Sequence, residues 1–219
     1  MSSPQPDHPV AGIIADIVAS RALADRRAAQ RDIMEAFARA EESVSALRSA
    51  WATVGDEFQV IASDARSALQ LTLRVQALLP DSVRLRFGIG LGVINEISTG
   101  IDDGEHQGSP IQDGSAWLHA RAALDDAESR QGKRDEILTG FRAEDPVLTG
   151  SVAQMLTLRD HVLGRMKARE RRLFAALLVG DTQQEAARAE GISQAAVSQS
   201  LHRSGAMALL DADREDFPC

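Results

Sequence analysis

At 219 residues, 44% of them apolar, the chain has the length of one or two domains and the material for a buried core, which excludes a disordered polymer. Its one cysteine, Cys219, excludes an intramolecular disulfide framework and a cysteine-ligated zinc site, and His8, His106, His119, His161 and His202 fall at no metal-ligand spacing. The net charge of −8 opposes nucleic-acid binding as an average, because affinity for phosphates comes from Lys and Arg, yet residues 155–204 carry 8 Lys and Arg against 5 Asp and Glu.

Residues 1–9 are polar and proline-containing, without the basic region of a leader, and read as a disordered N-terminus. Val10–Val18 is short, rich in Ile and Val, and predicts a buried strand; broken by Asp16, it is far below the roughly 20 residues that span a bilayer. A cytoplasmic chain with no membrane partner is expected. Ile33, Met34, Phe37, Ala40, Val44 and Leu47 recur at spacings of three and four and predict one long helix over Asp25–Ser49. Trp51–Ile61 alternates around Gly55-Asp56 as two short strands about a tight turn. Ser63 or Asp64 caps a second helix that runs through Leu79 and stops at Pro80. Val83–Ile94 is a strand with Gly88, Gly90 and Gly92 on one side.

Strand, helix, hairpin, helix, strand is the split βαβ order of a ferredoxin-like or palm sheet with helices on one face. The glycine-rich, acidic stretch Thr99–Ser115 reads as a mobile loop, followed by a helix over Ala116–Arg130 and a short strand over Ile137–Phe141. The sequence is helical from Pro146 almost to the end. The predicted class is therefore α+β, with a palm-like domain over 10–145, an all-helical region carrying a helix-turn-helix over 146–210, and an acidic tail over 211–219.

Two constellations could carry chemistry. In the first, Asp16 interrupts an apolar strand while Asp56 and Glu57 sit at the hairpin turn. A buried carboxylate needs a partner, a metal or a proton. In a palm-type sheet Asp16 and Asp56 are close enough to share one Mg²⁺, which is usually held by one or two carboxylates plus substrate phosphates. Alternatively, Asp56 is simply the favoured residue of a Gly-Asp turn, and Asp16 caps a helix or pairs with Arg21 or Arg121.

The segments IIADIVASR, TVGDEFQ, RFGIGLG and LHAR, in this order and at these separations, resemble the SatD family of bacterial proteins, over nearly the whole chain. More distantly they are similar to the palm of class III nucleotidyl cyclases, which implies metal-holding roles for Asp16 and Asp56 and nucleotide contacts from Asp16, Asp56, Glu57 and Arg121. The chain departs from the cyclase pattern where the purine-selecting lysine stands, here Ala52, and where an asparagine precedes the transition-state arginine, here Trp117 if Arg121 is that arginine. A methyl and an indole do not replace those donors, so nucleotide binding is expected without the cyclising reaction.

In the second constellation, Thr182 and Glu185 form a capping box, Gly191 is placed for a left-handed turn, and Ser193 caps the next helix. Ala187, Gly191 and Val197 stand where two crossed helices need a small residue, a turn and an apolar contact. This resembles the tetrahelical helix-turn-helix of sigma factors and response regulators, although a plain helical hairpin or a protein-docking module shares these features. By the docking geometry of that motif, Ser193, Gln194, Ala195, Ser198 and Gln199, with His202 and Arg203 further along, face the major groove. Lys167, Arg169, Arg171 and Arg172 serve phosphates. The expectation is a DNA-binding transcriptional regulator, a homodimer on double-stranded DNA, whose palm senses a purine nucleotide with Mg²⁺. The alternatives are a divergent metal-dependent nucleotidyl cyclase or transferase, and an inert palm that serves as a dimerisation scaffold.

Overall fold

The computed structural model describes residues 9–53, 55–97, 111–132 and 135–214. Strand β1 (Val10–Ile17) leads to helix α1 (Arg26–Glu41), whose first turn is capped by the Asp25 carboxylate accepting from the amides of Arg27 and Ala28. The hairpin β2 (Ala46–Ala52) and β3 (Glu57–Ala62) follows, turning at Gly55 with φ 88°. Helix α2 (Ala65–Leu78) is capped by Asp64 and leads to β4 (Leu85–Gly92). The sheet order is β2-β3-β1-β4, these four pairing antiparallel throughout, with a fifth strand beyond β4. This is the predicted split βαβ core: β1 and β2 flank β3, and β3 and β4 flank β1. Strand β7 (Thr139–Arg142) joins the outer edge parallel to β4, after helix α3 (Ser115–Gln131).

The first helix is shorter than its apolar stripe suggests. It ends at Glu41, whose carboxylate accepts from the amide of Ala50 and so ties the chain back into β2. Val44 is buried in the intervening turn, whereas Leu47 stands 63% exposed on an edge strand interrupted by register shifts. The expected loop over Thr99–Ser115 lies partly outside the described residues. Within it, β6 (Ile111–Asp113) pairs with β5 (Asn95–Ile97), which precedes it, and Ser115 opens α3.

Helices cover both faces of the sheet, not one. Ala11, Ile13, Ala15 and Ile17 of β1 meet α1 and α2 through Ile33, Phe37, Leu71 and Val75. The other side of β1 and β4 carries Gly12, Gly88 and Gly90, and α3 lies on it through Ala116, Ala120 and Leu124, with Ala123 over Gly140 of β7. A Cβ at Gly90 would overlap the backbone of Ala116 and Ala120. The alternate glycines thus form a groove that admits a helix to backbone contact.

The C-terminal helices are α4 (Pro146–Arg165), α5 (Ala168–Leu178), α6 (Gln183–Glu190), α7 (Gln194–Ser204) and α8 (Ala206–Arg214). Helices α5 to α8 pack around Leu173, Phe174, Val197, Leu201 and Leu210, and this cluster also takes in Leu73 and Ala77 of α2. Helix α2 therefore contributes to two cores. The contact is stitched by a buried ion pair in which both terminal nitrogens of Arg74 donate to the Asp213 carboxylate at 2.8 Å. Asp213 belongs to α8, so the expected acidic tail begins as a helix docked on the sheet domain, and its remainder lies outside the described residues. No helix among the described residues is long and apolar enough to cross a membrane.

The glycine groove makes a direct prediction. Gly90→Ala should destabilise the chain by about 1–3 kcal/mol or more, since α3 must be lifted from the sheet, whereas Gly150→Ala, which meets open space on α4, should be neutral or stabilising. Urea denaturation of the two variants checks this contrast.

Candidate functional site

The groove brings the C-terminal end of α3 over the part of β4 that carries Arg86. Asp16 on β1 is in register with Glu57 on β3 and with Arg86 on β4, so the three side chains share one face of the sheet. Arg86 is buried and organises the group. Its Nη1 donates to Asp16 Oδ2 at 3.0 Å and lies 3.1 Å from Glu128 of α3, while its Nε and Nη2 donate to Gln131 Oε1 at 3.0 and 2.6 Å. Beside it, Arg121 of α3 donates to Glu57 at 2.6 Å. Asp16 is thus paired with Arg86, and with neither Arg21 nor Arg121.

One atom of this cluster is left over: Asp16 Oδ1 is buried and has no hydrogen-bond partner among the described residues. Burial raises the Asp16 pKa above the ordinary 3.8; Arg86 opposes the shift, and the charges of Glu128, Asp56 and Glu57 reinforce it. Three residues on, Ala19 takes φ 54°, the only positive φ at a non-glycine among the described residues, which is sterically costly for a residue with a Cβ.

The other predicted site residues sit apart. Asp56, in the turn, lines a cleft of about 350 Å³ with Ile17, Arg26, Gln30, Gly55 and Phe58, and Asp16 does not line it. Among the described residues no group of three or more His, Cys, Asp or Glu is gathered for a metal. Of the expected metal pair, Asp16 keeps one unpartnered carboxylate oxygen and feels the charge of Asp56, but the two do not share that cleft. Ala52 is exposed at the end of β2. Trp117 packs edge-on against Trp51, with ring centroids 6.1 Å apart and its buried Nε1 unpartnered among the described residues. Sequence reasoning missed Arg86. Its signal was the pleat: in LRFGIG, Arg86 falls on the same side as Gly88 and Gly90, the side on which Asp16 also breaks an apolar strand.

The second constellation folds as its caps dictate. Thr182 and Glu185 exchange the two hydrogen bonds of a capping box, Gly191 ends α6 with φ 65°, and Ser193 Oγ accepts from the amide of Ala196 to open α7. Ala187 and Val197 are buried between the helices. Gln194, Ala195, Gln199, His202 and Arg203 are exposed, with Ser198 half-buried. Lys167, Arg169, Gln199 and Arg203 line one groove of about 510 Å³ between α5 and α7.

The basic residues are held by carboxylates. Arg172 donates twice to Glu190, at 2.6 and 2.8 Å, and Arg169 lies 3.7 Å from the same group; the hydrogen bond from Arg172 is the main reason the Glu190 pKa is lowered. Arg203 donates to Glu170 at 3.2 Å. Arg171 departs from its predicted role. It turns away from this surface, half-buried, to pair with Asp81 in the α2–β4 loop.

The SatD family model matches residues 10–213, which takes in both the sheet and the C-terminal helices. The chain belongs to the SatD family. No curated protein is similar to this SatD-family chain at a significant level. Two solved structures have a similar arrangement: the adenylyl cyclase CyaB from P. aeruginosa, at 13% identity and a TM-score of 0.41, covers 57% of this chain and 74% of its own. The guanylyl cyclase Cya2, at 15% identity and a TM-score of 0.37, covers 55% of this chain and 71% of its own. At TM-scores below 0.5 neither likeness bears on function.

The raised Asp16 pKa sets a pH dependence. The folded chain binds this proton more tightly than the unfolded one, so the carboxyl's contribution to stability is complete below pH 3.8 and is lost as pH rises through the higher folded value. The stability difference between the parent chain and Asp16→Asn should therefore move in favour of the variant as pH rises from below 3.8 to 7. Paired urea titrations at each pH measure it, and a difference that moves the other way contradicts the assignment.

Proposed function

We propose that this SatD-family chain is a DNA-binding transcriptional regulator that reads duplex DNA through the N-terminal half of α7. The observation that carries the reading is the exposed polar face of α7. Ala195, Gln199 and His202 recur at helical spacing on the solvent side while Val197 and Leu201 point into the core. Gln can bond adenine bidentately and Ala can meet a thymine methyl, while Lys167 and Arg169, across the groove from Gln199 and Arg203, are positioned for phosphates. Glu170 and Glu190 hold the heads of Arg203 and Arg172, and a guanidinium fixed by a carboxylate retains donors for a phosphate oxygen.

In the same reading the sheet domain senses a purine nucleotide with Mg²⁺, through Asp16, Asp56, Glu57 and Arg121. The unpartnered buried Oδ1 of Asp16 supports it, since an orphaned carboxylate oxygen beside a second carboxylate is costly unless a cation or proton takes it. Cyclisation chemistry is not part of the proposal, because Ala52 has no donor and the single donor of Trp117, its Nε1–H, is buried.

DNA selection tests the first half. The chain should enrich a pseudo-palindromic duplex, with half-sites about one helical turn apart. Gln194→Ala or Gln199→Ala should cost about 1–3 kcal/mol at the selected site with little change on random DNA. Neutralising Lys167 and Arg169 should weaken binding to every sequence and lower the salt dependence by about one for each phosphate no longer neutralised. No enrichment, together with no salt-dependent retention of any duplex, defeats the reading.

Thermal melting with nucleotides and Mg²⁺ tests the second half, on the full chain because α2 contributes to both cores. A purine nucleotide at about a hundred times its Kd should stabilise by about 2.7 kcal/mol, and Asp16→Asn with Asp56→Asn should remove the shift. If nucleoside triphosphate and Mn²⁺ instead yield a cyclic product that Asp16→Asn abolishes, the chain is an enzyme.

A further inference from the structure

Helix α4 is packed on one side only. Its inner residues Leu156, Arg159, Asp160 and Leu163 are buried, with Asp160 Oδ2 accepting from the amides of Leu138 and Thr139 at 2.8 and 2.7 Å, so the helix is fixed to β7. Its outer side exposes Val147 (74%), Met155 (40%) and Leu158 (69%), three of the seven large apolar residues exposed among the described residues, and Leu148 makes a fourth on the same helix. Val147, Ser151, Met155, Leu158 and Val162 run at spacings of four, four, three and four, the period of a helix–helix seam. An apolar stripe of this kind on a rigid helix about 30 Å long marks a docking surface.

We propose that the occupant of this surface is α4 of a second copy, packed antiparallel about a twofold axis that passes between Gln154 and Met155. Charge complementarity selects this partner and direction. Glu144 lies at the N-terminal end of α4 and Arg165 at its C-terminal end; both are exposed, and neither has an ion-pair partner among the described residues. Antiparallel pairing about that axis sets Glu144 of each copy opposite Arg165 of the other. The same register sets Val147 opposite Val162, which is half-buried beside Gly205, and Ser151 opposite Leu158, where a small residue receives a large one. Off the axis each of these positions finds its partner in the same stripe, as an isologous interface requires, while Met155 lies beside the axis against Gln154. Antiparallel helices also bring opposite ends of their dipoles together.

The proposal deepens the DNA-binding reading, which needs two α7 helices on one duplex, and rests on that reading for its consequence alone. Sedimentation of the full chain, without DNA, tests the dimer itself. Met155→Glu and Leu158→Glu should each raise the dimer Kd about tenfold or more while circular dichroism shows an unchanged fold. Glu144→Arg and Arg165→Glu should each weaken the dimer severalfold, and the double variant should restore it. The inference is overturned by a chain that stays monomeric. It is overturned equally by a dimer that survives Met155→Glu and Leu158→Glu but is broken by Leu118→Glu on α3, or by a double charge reversal no better than either single one. A dimer through α4 with no retention of any duplex leaves the seam standing and defeats the DNA reading, whereas sequence-selective DNA binding by a monomer does the reverse.

Discussion

The close approach of α3 to β4 is the constraint on which the candidate site depends. Gly88 and Gly90 let the helix backbone touch the strand backbone, where α3 answers with Ala116, Ala120 and Leu124, and Gly140 of β7 does the same for Ala123. A helix seated at that distance has no room to roll, because any rotation drives Cβ atoms into the sheet. The groove therefore fixes the azimuth of every other α3 residue. Glu128 and Gln131 come down on Arg86, Arg121 reaches Glu57, and Trp117 meets Trp51. The polar cluster is a consequence of a glycine pattern that itself has no chemistry.

A second level of organisation is ionic. Arg74 joins α2 to α8, Arg159 joins α4 to α2 and β7, and Arg171 joins α5 to the α2–β4 loop. The buried pair of Arg74 and Asp213 adds little over apolar residues of equal volume, yet removing one partner strands the other and costs about 3–5 kcal/mol, whereas Asp81, the partner of Arg171, is largely exposed. Their effect is on geometry. A guanidinium with its donors in a rigid fork accepts only a narrow range of carboxylate positions, so these arginines fix the angle at which the C-terminal helices meet the sheet domain.

Much of this was legible in the sequence because the signals were local. The apolar run of β1, the Gly55 turn, the Asp64 cap and the box of Thr182 and Glu185 depend on residues within a few positions of one another, and each forms at its expected place. What escaped is what depends on distant partners. The stripe that suggested a helix through Ser49 mixes true helix residues with Val44, buried in a turn, and Leu47, exposed on a strand, and only the hydrogen bond from Ala50 to Glu41 separates them. That α3 covers the second face depends on pairing glycines with alanines about 30 positions away. Arg86 as the partner of Asp16 required the register of two strands, and Arg171 and Asp213, read as surface charges, met partners in a segment read as a separate domain. The candidate site is accordingly legible in its acids and not in the base that holds them.

The position of α2 bears on how the chain comes apart. Leu71 and Val75 belong to the core beneath the sheet, while Leu73 and Ala77, on the opposite side of the same helix, belong to the core of the C-terminal helices. Loss of either core strips α2 on one side and leaves a helix of 14 residues with half its support, too short to persist in water by itself. Melting of one core is therefore expected to weaken the other. The two cores are not separated at the start of α4 either, since that helix buries Leu156 in the sheet core, and a disturbance at the edge of one core reaches the other through the helix they share.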